Sequence, residues 1–255
     1  TPNATAAFGR ALTAASMMGN MQKVENGYPA TKFVGYDTLK TQAKVLALLN
    51  EKFDFVDALN AQGYAIFDTT SFYAESGGQV GDVGAVLKDG QQVASVCDTQ
   101  KPLGKVFLHK VKGTLKVGET VELAVNEAVR KRCMANHSAI HLVNAALRQV
   151  FGNGVHQSGS FVSADRFRFD YTLSKTPTAE ELNRAWQIAN AAAEAALPVY
   201  CQQRPLADAE RLGAVTLLGE TYADPARFVL MGGSFECPQD KYSCQATCSS
   251  FDRLP

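Results

Sequence analysis

The chain has 255 residues, 46% of them hydrophobic and 20% charged, enough apolar material for one substantial core or two modest ones, so it is expected to fold. Its 25 Lys and Arg balance 25 Asp and Glu, which excludes a global basic field gripping long stretches of nucleic-acid backbone; any RNA contact must be local. The longest apolar runs break off short of a bilayer span and no basic stretch leads into an apolar signal core, so a soluble, cytoplasmic chain with no membrane partner is expected.

Thr1 is not an initiator Met, and residues 1–20 read as a helix with Phe8, Leu12 and Ala15 at helical spacing, followed by a connector from Gly19 to Pro29. The numbering is therefore expected to begin inside a longer polypeptide. From Thr38 to Leu49 the apolar positions Leu39, Ala43, Leu46 and Leu49 read as a short helix. Between Gly63 and Val125 short apolar runs alternate with Gly, Asp and Lys turns, and Asp89-Gly90 is a hairpin signal, so this stretch reads as a small antiparallel barrel or curled sheet. Glu127 to Phe151 carries Ile140, Val143, Leu147 and Val150 at three- and four-residue intervals and stops at Gly152, the pattern of an amphipathic helix. Alternating aromatics around Asp165 (Phe161, Phe167, Phe169, Tyr171) predict a hairpin. Thr178 with Glu181 predicts a capped helix running through Trp186 to about Ala196. Strands are expected at 199–202 and 228–231 with a short helix over 206–212 between them. The sum is an α+β fold, a small antiparallel β-barrel followed by a helix-and-antiparallel-sheet part, with boundaries expected at 1–30, 31–125 and 126–255.

His137 and His141 lie four apart on the long helix, so both imidazoles project from one face and can reach a single ion at about 2.0–2.1 Å. The blander alternative is a polar stripe continued by Asn144 and Arg148. A metalloprotease would need Glu directly after the first histidine, where this chain has Ser138. Of six cysteines, Cys97, Cys133 and Cys201 stand alone as ordinary thiols, whereas Cys237, Cys244 and Cys248 crowd toward the chain's end. Those three are either zinc ligands, a local disulfide or exposed thiols. The loop from Glu75 to Asp82 holds paired glycines, Gly77 and Gly78, which let a backbone approach a ligand closely, and Gln79, which offers an amide donor and acceptor. It lacks the Gly-Lys-Ser/Thr ending of a phosphate loop, and a tight turn with a solvated Gln is the alternative. Thr70, upstream, sets one hydroxyl beside Phe72 and Tyr73.

The runs Asp68-Thr69-Thr70-Ser71-Phe72-Tyr73-Ala74-Glu75-Ser76-Gly77-Gly78-Gln79-Val80-Gly81-Asp82, Asn136-His137-Ser138-Ala139-Ile140-His141-Leu142, Gln157-Ser158-Gly159-Ser160 and Arg168-Phe169-Asp170-Tyr171 resemble, in order and spacing, the editing region of alanyl-tRNA synthetase and its free-standing trans-editing relatives. The resemblance runs from about Phe8 to about Gly233. It implies an editing core over 126–255 and hydrolysis of tRNA(Ala) mischarged with serine or glycine, the second-site remedy for amino acids that a synthetic site separates poorly. It further implies one zinc ion on His137 and His141, completed in the family by a Cys-x-x-x-His pair. Thr70 would meet the serine hydroxyl, while Gln79 and the Gly77-Gly78 backbone would lie against the scissile ester. The implied partners are the 3′ end of tRNA(Ala) and the remaining domains of the synthetase, with ATP, alanine and magnesium handled elsewhere; no DNA is implied.

The chain departs from that pattern after Met231-Gly232, where it reads Gly233-Ser234-Phe235-Glu236-Cys237-Pro238-Gln239-Asp240-Lys241 and has no histidine beyond His156. Either Cys237 takes the family cysteine's place, or Cys244 and Cys248 act as a Cys-x-x-x-Cys pair, the set adopted here, or the tail is unrelated sequence. The readings that follow are a zinc-dependent aminoacyl-tRNA deacylase, or a metal-free, non-catalytic module that contacts tRNA.

Overall fold

The computed structural model describes residues 27–102, 104–215, 224–236 and 243–247, together with Gly19, residues 22–24 and Tyr222. Most of the expected N-terminal helix, Cys237 and Cys248 lie outside these. The chain divides into two compact units, Thr1–Glu75 with Val80–Arg130, and Ser76–Gln79 with Lys131–Pro255. No helix among the described residues is long and apolar enough to cross a membrane.

The first unit is built on β1 (Lys40–Asn50), β2 (Gln62–Phe67), β3 (Gly84–Lys88), β4 (Gln91–Gln100), β5 (Leu108–Gly113) and β6 (Thr120–Val125). These pair antiparallel in the order β6-β3-β4-β5-β2-β1, and a further β6–β1 pairing closes the six strands into a barrel. Closure leaves no open sheet edge. The segment expected to be a short helix is β1, the longest barrel strand. Its exposed Gln42 and Lys44 alternate with buried Ala43 and Val45, a period of two. A bulge between Val45 and Ala47 then shifts the phase, so Leu46 and Leu49 fall at a helix-like interval. Residues 40–44 pair with β6 and 45–50 with β2, so the bulge lies where the strand changes partners. Asp89 and Gly90, both at positive φ, make the tight β3–β4 turn. Inside the barrel pack Val45, Leu48, Ala65, Phe67, Phe72, Val86, Val111 and Leu123, all at most 1% exposed.

In the second unit the helix α1 (Glu127–Phe151) has the expected bounds; its first four residues fall in the barrel unit. The hairpin follows as β7 (His156–Val162) and β8 (Phe167–Thr172), then α2 (Ala179–Glu194). Thr178 caps α2 with a complete capping box, its side chain accepting from the Glu181 N–H while Glu181 accepts from the Thr178 N–H. One core joins Ala146 and Leu147 of α1 to Ala185 and Ala189 of α2, with Val155 between and Phe169 and Tyr171 of β8 packed against it. A three-stranded antiparallel sheet, β9 (Val199–Arg204), β10 (Ala226–Met231) and β11 (Ser243–Thr247), completes the unit with the short α3 (Asp208–Leu212).

Candidate active site

Two distant stretches of sequence meet within the second unit. Ser76-Gly77-Gly78-Gln79 forms a closed turn, with Ser76 N–H donating to the Gln79 carbonyl at 3.1 Å and Gln79 N–H to the Ser76 carbonyl at 3.0 Å. Both central residues have positive φ (58° and 79°), the conformation of a type I′ turn, which favours glycine at both. Gly78 also has no room for a side chain: a Cβ there would lie 2.3 Å from Ser160 Oγ and 2.8 Å from the Ser160 carbonyl oxygen. Its own carbonyl accepts from Val162 N–H at 2.7 Å, and Gln79 forms an isolated parallel bridge with Val162, so β7 holds the turn in place.

Above that turn stands His137. A Cβ at Gly77 would sit 3.6 Å from His137 Cε1, so the paired glycines run alongside the imidazole. Gln79 is 4% exposed and its Oε1 lies 2.9 Å from His137 Nδ1. The contact joins residues 58 apart in sequence. His141, one helical turn on, faces the same ring, with centroids 5.1 Å apart and planes tilted by 30°. Both histidines are half-buried. Burial lowers the His137 pKa, and burial followed by the charge of His137 lowers that of His141 to about 3. Both rings are thus neutral at physiological pH, the form that binds metal or accepts a proton. Asn136 anchors the same turn of helix by donating to the Ser163 carbonyl at 2.8 Å.

His137, His141, Gly77, Gly78 and Gln79 are therefore brought together. Thr70 belongs to the barrel unit and is wholly buried there. Its hydroxyl lies 2.8 Å from Nε2 of His109 and accepts from Phe72 N–H at 3.1 Å. His109 Nδ1 lies 3.3 Å from the Ala65 carbonyl, which can only accept, so Nδ1 carries the proton and Thr70 donates to Nε2. Cys244 is 2% exposed in a core with Leu212, Ala226, Phe228, Leu230 and Phe235. Among the described residues no group of three or more His, Cys, Asp or Glu side chains is gathered to hold a metal, so Cys244 is not assembled with the two imidazoles. The reason is its place as the second residue of β11, opposite Leu230, where the thiol is packed among apolar side chains.

Three contacts or placements were not assigned from the sequence. Ser160 packs on Gly78, His109 fixes Thr70, and Cys133, buried one helical turn before His137, sits on the same helical face. Only the last left a signal, the repeated four-residue interval of 133, 137 and 141.

A family model described as tRNA synthetases class II (A) matches residues 6–129 and ends before His137. Alanine–tRNA ligase of Elusimicrobium minutum (strain Pei191) is 53% identical over 228 residues, covering 88% of this chain and 26% of that protein. The chain belongs to the alanyl-tRNA synthetase family. Alanine–tRNA ligase of Methylobacillus flagellatus is 43% identical over 225 residues (86% of the chain, 25% of the relative), and that of Neisseria meningitidis 42% over 229 (88% and 26%). The chain thus spans about a quarter of the length of these curated relatives.

Proposed function

We propose that the second unit of this alanyl-tRNA synthetase region is a proofreading site that hydrolyses Ser-tRNA(Ala) and Gly-tRNA(Ala), within a cytoplasmic enzyme that charges tRNA(Ala) with alanine. One observation carries the reading: the Gly77-Gly78-Gln79 turn, whose Gln79 lies 58 residues before His137, is folded against that histidine in the same unit. The paired glycines put no side chain beside the imidazole of His137, so the aminoacyl ester of a terminal adenosine would approach it past bare backbone. An imidazole nitrogen with a free lone pair can accept the proton of an attacking water, the usual general-base role.

The donor set suits half of a zinc site. His137 and His141 are neutral, adjacent and share a helical face, and one nitrogen of His137 is already engaged by Gln79. When bound, a zinc ion there would polarise water or help position the ester. Among the described residues no third or fourth ligand is gathered beside the pair. A meeting of Thr70 with a serine hydroxyl, which the resemblance implies, would have to use the one lone pair that Phe72 and His109 leave on a residue wholly buried in the barrel unit. Thr70→Val, compared on Ser-tRNA(Ala) and Gly-tRNA(Ala), tests that role through the ratio of the two rates.

The test of the main reading is release of free amino acid by the purified chain. Serine and glycine esters should be hydrolysed faster than alanine esters, and His137→Ala should abolish the difference. Equal, background rates on all three with metal supplied would reject it. The second reading, a metal-free module that only contacts tRNA, is favoured by the packing of Cys244 in a core. Metal content after dialysis separates the two, because a two-imidazole site alone does not retain zinc.

A further inference from the structure

We propose that Gln79 is the positioning residue of His137: its Oε1 accepts the Nδ1–H and holds the ring in the tautomer that leaves Nε2 unprotonated. The inference deepens the zinc and proofreading reading for its consequence, while the tautomer itself is a property of the metal-free chain. A neutral imidazole carries one proton, and an unconstrained histidine places it more often on Nε2. In that form Nε2 can neither bond an ion nor accept a proton. An acceptor fixed at Nδ1 reverses the preference.

The surroundings make Gln79 such an acceptor. Its backbone is tied at both ends of the turn to Ser76 and bridged to Val162, and its side chain is enclosed. Gly78, wedged against Ser160, fixes the height of the turn relative to β7. The amide oxygen therefore arrives at 2.9 Å from Nδ1 on a rigid support rather than on a solvated side chain. Meanwhile Cε1 and Nε2 lie 3.6 Å and 3.9 Å from the position of a Cβ at Gly77, so the edge of the ring that bears Nε2 passes beside a residue with no side chain. This role differs from lying against the ester. Gln79 acts through His137.

Long-range proton–nitrogen correlation spectra of the ¹⁵N-labelled, EDTA-treated chain read the tautomer directly. In the wild type His137 is expected to carry its proton on Nδ1. Gln79→Leu should move it to Nε2 and weaken binding of cobalt(II), followed by its absorption, and of zinc, by competition, about 10- to 100-fold. Gln79→Glu retains an acceptor oxygen and should restore both the tautomer and the affinity, a rescue that a space-filling role would not give. His109, held as Nδ1–H by Ala65, is an internal reference that should not change in either variant. A wild-type spectrum with the proton on Nε2 overturns the proposal even if no variant folds. So does a Gln79→Leu spectrum that leaves His137 unchanged. A tautomer that switches as expected in a chain that binds no metal supports the positioning role and rejects the zinc reading, so the two fail separately.

Discussion

The two units treat their histidines differently. In the barrel, both nitrogens of His109 are used, one by Ala65 and one by Thr70, and the ring is enclosed by Phe67, Phe72 and Phe107. In the second unit His137 has one nitrogen engaged, by Gln79, and His141 has no hydrogen-bond partner among the described residues. Burying an imidazole costs solvation, and a hydrogen bond returns it. The barrel recovers that cost locally. The second unit keeps two adjacent rings only half-buried, with no ring nitrogen among the described residues both enclosed and unpartnered, which is the expected arrangement of side chains left accessible to a ligand.

The sharpest way to break this contrast lies in the barrel. Arg130, 5% exposed, donates to the carbonyls of Gly35 and Ser71 at 2.8 Å each and pairs with Asp82, itself 2% exposed. Removing one partner strands the other as a buried charge, so Arg130→Ala should lower stability by about 3–5 kcal/mol, measured by urea denaturation. Next comes acid. Burial pushes the His109 pKa down to about 4, partly offset by the bond to Ala65, against an ordinary value of 6.5. Above pH 6.5 both folded and unfolded states hold the ring neutral. Below it only the unfolded state gains the proton, so stability falls by about 1.4 kcal/mol per pH unit until about pH 4, roughly 3 kcal/mol in all. The urea midpoint followed from pH 7 to pH 4 should show this slope, and His109→Phe should remove that share of it.

Two glycine changes sharpen the second unit. Gly78→Ala combines a clash with Ser160 and a positive φ, and should cost about 2–5 kcal/mol while reducing serine release, whereas Gly77→Ala meets no atom closer than 3.6 Å and carries only the backbone penalty of about 1–2 kcal/mol. Thermal midpoints of the pair give the comparison. The smallest effect is expected at Thr178→Ala, which removes the α2 capping box for about 1 kcal/mol and touches no residue of the site.

How much of this was legible in the sequence differs element by element. Glu127–Phe151 is long and strongly periodic, and Thr178 with Glu181 is a local signal, so both helices could be read from neighbours a few residues away. β1 could not, because its bulge imitates a helical interval over four apolar residues. The His137–His141 pair was visible from its spacing alone. The Gln79 contact was not, since no periodicity connects residues 79 and 137; it depends on a turn packed on β7. Cys244 was misleading for a related reason: its spacing to Cys248 looks like a ligand pair, but it lies in a strand whose inward side is a hydrophobic core.

The most direct measurement is the rate of serine release from Ser-tRNA(Ala) by wild type, His141→Ala and Thr178→Ala under one set of metal-supplied conditions. His141→Ala should fall to the uncatalysed rate while its thermal midpoint stays at or above that of Thr178→Ala, which should keep wild-type turnover. Serine released equally by all three, or by none, would contradict a hydrolytic site built on the imidazole pair.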